Sequence, residues 1–160
     1  MTNEKYDSRE SVLKHISRVR ELLGYAANEL LRRGKIHDDS KLREPEKSIF
    51  DVYSPKLLES KFGSDEYLRF LSEMRPALEH HYANNSHHPE HYKNGISGMN
   101  LFDLMEMFFD WKAASERHQD RGDILESIEF CSKKYQIPMQ LKDILENTAK
   151  KMETEQWLRR

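Results

Sequence analysis

The chain has 160 residues, 37% of them hydrophobic and 34% charged, which suits one domain with a core of its own, read here as 1–160 with the core over about 8–148. A net charge of −2 excludes the broad basic surface that duplex nucleic acid attracts, and no stretch approaches the roughly 18 consecutive apolar residues of a membrane helix. The opening MTNEKYDSRE carries neither a secretion signal nor a targeting helix, and the single Cys131 cannot form an internal disulfide, so the expected location is the cytoplasm.

In chain order, Ser8 is placed to cap a helix whose apolar positions Val12, Ile16, Val19, Leu23, Ala26 and Leu30 step by three and four, with Gly34 just past its end. His15 sits on the flank of that stripe and is expected to face inward, with Arg18 on a neighbouring turn. Pro45 and Pro55 divide 36–58 into two or three short helices, and His37 and Asp38 fall at the first turn. Ser64 begins the next helix, and Pro76 kinks it or starts a fresh turn that carries His80 and His81 to its end. The stretch 84–99 is rich in Asn, Ser, Pro and Gly and is expected to be an irregular loop bearing His87 and His88; loops of this length in compact domains are usually functional.

Asn100 caps a helix whose polar side carries Asp103, Glu106 and Asp110. Its Met105, Met107, Phe108, Phe109 and Trp111 are expected in the core. Asp123 caps another helix, and Pro138 opens a last one over 138–158 that could pair with a second copy in a homodimer. Strand-like alternation is missing throughout, so the expected fold is all-α, about six to eight helices with a long His-rich loop.

Five of the eight histidines lie between His80 and His91, in EHHYANNSHHPEHY, and His37-Asp38 stands in KIHDDSKL. Imidazoles gathered this densely point to a transition metal, which takes neutral nitrogen as ligand. Taken in order along separate elements, the candidates are His15; His37 and Asp38; His81, with His80 as the alternative; His87 and His88; then Asp110 or Asp103. His91 is expected in solvent or behind the ligands. Glu90 and Glu106 read as surface carboxylates, with proton transfer as the alternative.

That order, H, HD, H, H, D, resembles the HD-domain superfamily of metal-dependent phosphohydrolases. His37-Asp38-Asp39-Ser40-Lys41 looks like the HDxGK form of the motif with Ser in place of Gly, and His87-His88-Pro89-Glu90 before Gly95 is similar to the HHE segment of the cyclic-dinucleotide phosphodiesterases, whose GYP part is absent here. The chain is more similar still to a family of small uncharacterised bacterial and phage proteins sharing NSHHPEHY and EMFFDWKAASERH, over roughly residues 12–148.

The superfamily resemblance implies an HD-like helical bundle binding one or two divalent transition metal ions, Mn, Fe, Co or Zn. It implies His15, His37, Asp38 and Asp110 as ligands of one ion, with a histidine from each pair serving a second. Asp110 is preferred over Asp103 because DWKAASER resembles the superfamily's closing helix. Lys41 would meet phosphate, beside Arg18 and Arg117, and Asp38 and Lys41 would carry the chemistry. The implied function is hydrolysis of a nucleotide or other small phosphorylated compound. The alternatives are a diiron oxygenase cleaving a C–C or C–P bond, and a non-catalytic binding or regulatory protein of phage or bacterial origin.

Overall fold

A computed structural model describes residues 7–61, 63–116 and 123–154, and among them every regular element is helical. The expected all-α fold is therefore observed. The elements are α1 (Arg9–Ile36), a 3-10 turn (Asp39–Leu42), α2 (Glu46–Glu59), α3 (Asp65–Glu73), α4 (Arg75–Asn84), 3-10 turns at Pro89–His91 and Gly95–Gly98, α5 (Leu101–Glu116), α6 (Ile124–Tyr135) and α7 (Met139–Thr154). No helix among the described residues is long and apolar enough to cross a membrane. The part of the expected last helix beyond Thr154 lies outside the described residues.

Two compact units divide the chain, Met1–His37 and Asp38–Arg160. The first is essentially one helix of 28 residues. No residue of that helix is buried, and its apolar stripe stays half open, with Val12 at 48% and Leu23 at 64% exposure. His15, expected to face inward, is exposed with that stripe. Ser8 holds the N-cap position without a side-chain bond; the Asp7 carboxylate instead accepts from the Arg9 amide at 2.9 Å. The helix also runs through Gly34 to Ile36. Glycine costs a helix only about 1 kcal/mol and does not by itself end one.

The second unit holds the buried core. Phe108 of α5, Ile124 and Ile128 of α6, Ile137, and Leu145 and Ala149 of α7 form one cluster, with Trp111 and Tyr135 packed on it. The indole and phenol rings stack within 4° of parallel at 6.4 Å between centroids, so Trp111 spends its face on Tyr135. Met107 and Phe108 are buried as expected, whereas Met105 and Phe109 are 41% and 43% exposed. Local capping follows the sequence closely. Ser64 accepts from the Tyr67 amide, Asn100 from Phe102 and Asp103, and Asp123 from Leu125 and Glu126. Pro55 departs from expectation, since it lies inside α2 and does not end it. One missing amide bond is tolerated where the rest of the helix packs on α3 and α4.

The expected loop between α4 and α5 is present, tightened by its two 3-10 turns. Asp103, 1% exposed, anchors it: one carboxylate oxygen accepts from Ser86 Oγ at 2.7 Å, the other from Tyr92 Oη at 2.7 Å and the Asn100 amide at 3.0 Å. Gly98 is part of that anchor, because a Cβ there would sit 2.7 Å from Tyr92 Cβ and 2.9 Å from its Cγ. Gly98→Ala must push the ring off Asp103, an overpacking cost of about 1–3 kcal/mol. A thermal melt should show the loss, and an unchanged melting temperature would mean that the ring is not held there.

Candidate metal centre

Three elements of the second unit converge on one buried point. Asp38 opens the unit in the left-handed backbone region, at φ 58°, ψ 13°. Aspartate tolerates that conformation better than most residues, and held strain of this kind is characteristic of functional positions. Histidine 81 comes from α4, and His87 and His88 from the loop that Asp103 anchors. Each of these four residues offers a ligand atom, and the four atoms lie within 4.8 Å of one another.

The individual distances are informative. His81 Nε2 stands 2.9 Å from His88 Nε2 and 3.3 Å from Asp38 Oδ1, and His87 Nε2 stands 3.5 Å from the same oxygen. Donor atoms about 2.1 Å from a common first-row ion lie roughly 3–3.4 Å apart, so these spacings suit shared coordination. The other Asp38 oxygen, Oδ2, accepts from Lys41 Nζ at 2.6 Å. The carboxylate is thus divided between the imidazoles on one side and an ammonium on the other.

Each of the two fully buried histidines has a carboxylate behind it. Glu46 Oε2 is 2.9 Å from His81 Nδ1, and Glu106 Oε1 is 3.1 Å from His87 Nδ1. A carboxylate can only accept, so these contacts favour a ring proton on Nδ1 and an Nε2 lone pair aimed into the cluster, with Asn85 Nδ2 and Ser40 Oγ also 3.0 and 3.1 Å from His81 Nδ1. Histidines that bind metals are typically oriented in this way. Burial, then the neighbouring His87 and His81, lowers the His88 pKa to about 3, with Asp110 opposing the fall. Its ring is therefore neutral at neutral pH, as a ligand must be. Donor types, spacing and orientation all fit a divalent transition metal.

Not all the candidates of the second unit meet here. Asp110 presents a ligand atom within 4.8 Å of one on His87 and acts electrostatically on His88, so it flanks the cluster. Asp103 is set back, its oxygens engaged by Ser86, Tyr92 and Asn100. His80, the alternative to His81, turns to Glu46 Oε1 at 2.7 Å and remains 41% exposed. His91 is at the surface with Nδ1 donating to the Tyr82 carbonyl. His15, Arg18 and His37 belong to the first unit, where Arg18 pairs with Glu21 at 2.7 Å and His37 forms the C-cap of α1. Arg117 lies outside the described residues. Cys131 is half-buried, and burial raises its thiol to about 11, so it is no nucleophile at neutral pH.

Two carboxylates escaped sequence reasoning. Glu106 is not the solvated group expected, since its side chain is only 13% exposed; its position on α5 between Asp103 and Asp110, three and four residues away, was the available signal. Glu46 resembled any first-turn acid of a helix, and nothing in the sequence set it apart. Glu90, by contrast, is a surface group, accepting from Lys134 and Tyr135.

Fold and cluster together define an all-α protein with a buried imidazole–carboxylate centre. The chain belongs to the Family of unknown function (DUF5662), whose model matches residues 4–151. Comparisons with curated proteins and with solved structures found no match.

Proposed function

We propose that this protein is a metal-dependent phosphohydrolase acting on a nucleotide or another small phosphorylated compound. The observation that carries the proposal is the convergence of Asp38, His81, His87 and His88 within 4.8 Å, on the motif order that resembles the HD-domain phosphohydrolases. Asp38, His81 and His88, with His87, would hold a divalent ion, and Asp110 beside His87 provides for a second. When bound, such ions would supply a nucleophile at neutral pH and neutralise charge growing on a phosphoryl group.

The protein's own side chains support an anionic substrate. Lys41, one-third exposed and fixed by Asp38, places an ammonium at the rim of the cluster, where a phosphate oxygen would meet it. The Lys41 side chain also lies over the Phe50 ring, 5.4 Å from its centroid, which limits its freedom to turn away. A cation so placed favours a substrate that carries an anionic phosphoryl or phosphonyl group over a neutral one.

Metal analysis of the purified protein should find Mn, Fe, Co or Zn. Added Mn, Co or Zn should then support release of nitrophenol from 4-nitrophenyl phosphate or its diester, followed by a screen of nucleotides. A coloured, iron-loaded protein that consumes oxygen without releasing nitrophenol would replace this function with the diiron oxygenase. Absence of both metal and turnover would leave a binding or regulatory module.

A further inference from the structure

Glu46 has the environment of a working residue, and its contacts reach well beyond His81. It is completely buried, and burying a carboxylate is costly unless its oxygens are fully engaged. Here both are. Oε1 lies 2.7 Å from His80 Nδ1, and Oε2 lies 2.9 Å from His81 Nδ1 and 3.0 Å from Ser40 Oγ. Ser40 is the residue standing where the HDxGK motif has glycine. Its hydroxyl donates to Glu46 while accepting from Asn85 Nδ2 at 2.8 Å, and the same amide donates to the His81 carbonyl at 2.8 Å. One carboxylate on α2 therefore ties the His-Asp motif, the end of α4 and two consecutive histidines together.

We infer that Glu46 is the positioning residue of the metal centre, acting through His81 and not on substrate. This rests on the metal centre proposed above. Adjacent histidines on a helix point about 100° apart, so they cannot both enter one site. Glu46 engages both and makes them unequal: His80 is kept at the surface, and His81 is locked with Nδ1 protonated and Nε2 facing Asp38 and His88. The serine of the motif supplies what glycine could not, a hydroxyl that holds Glu46 in register with the Asp38 turn.

Two measurements test this. Long-range proton–nitrogen NMR spectra of the metal-free wild-type protein should show His81 as the Nδ1–H tautomer; the Nε2–H tautomer would overturn the inference, whatever the protein binds. Glu46→Gln keeps the shape but exchanges one acceptor for an amide donor, so it cannot accept from both rings. Its tautomer signal for His81 should become mixed, and its zinc or manganese affinity by competition titration should fall roughly 10–100-fold. Tautomer and affinity both unchanged in a folded Glu46→Gln protein would overturn the assignment. Should that variant fail to fold, Ser40→Ala, which removes one donor to Glu46, should weaken metal binding in the same direction, and wild-type affinity there would count against it. A wild-type protein that binds no metal at either ion would refute the metal centre, while the tautomer measurement would still decide whether Glu46 holds His81.

Discussion

Asp38→Asn should abolish stable metal binding and turnover while leaving the fold in place. Asparagine tolerates the left-handed backbone at φ 58° about as well as aspartate, so the turn that begins the second unit should survive. Its amide oxygen can still accept from Lys41. What disappears is the anionic oxygen 3.3 Å from His81 Nε2 and 3.5 Å from His87 Nε2. Losing a charged ligand should weaken the ion by at least about 100-fold, which is roughly 2.8 kcal/mol. Melting of the metal-free protein should change by less than about 1 kcal/mol, because the ion pair that Asp38 makes with Lys41 is part-exposed on both sides. Elemental analysis, nitrophenol release and a thermal melt of one preparation would check all three. A variant that keeps its metal and its rate would remove Asp38 from the centre. Alanine is the poorer test here, since it adds roughly 1–2 kcal/mol of left-handed backbone strain.

Chelation should destabilise the wild-type protein and not the Asp38→Asn variant. An ion that binds the folded chain at a hundred times its dissociation constant adds about 2.7 kcal/mol. For a chain of this size each kcal/mol moves the melting temperature by about 2–4 °C, so stripping the metal should lower it by roughly 5–10 °C. The effect should concentrate in the second unit, since a bound ion would join the loop carrying His87 and His88 to α4 and Asp38. Equal melting with and without chelator, at metal concentrations well above any physiological level, would argue against a resident ion. Restoration by one metal and not by others would identify the ion that the site prefers.

Helix positions were largely legible because the forces that set them are local. Ser64, Asn100 and Asp123 cap their helices through contacts within three residues, and a three-four spacing of apolar groups needs no distant partner to be recognised. The misplacements share a cause. Gly34 and Pro55 are helix breakers by propensity alone, and tertiary packing or simple helix continuity outweighs a cost of one to a few kcal/mol. What His15 faces is not legible for a related reason: periodicity defines a stripe but not what covers it.

The residue types of the centre, their order and their spacing along the chain were written in the sequence, because imidazole and carboxylate are the groups that coordination chemistry requires. Which member of each set does the work was decided only by tertiary structure. Asp103 and Asp110 occupy one side of one helix, yet the first meets Ser86 and Tyr92 and the second approaches His87. His80 and His81 are neighbours with identical chemistry, separated only by which oxygen of Glu46 each meets and where its ring then points. Local sequence determines the helices and supplies the donors. The direction of His81 depends on a carboxylate 35 residues away and that of His87 on one in the next helix, and such contacts leave no periodic or compositional trace.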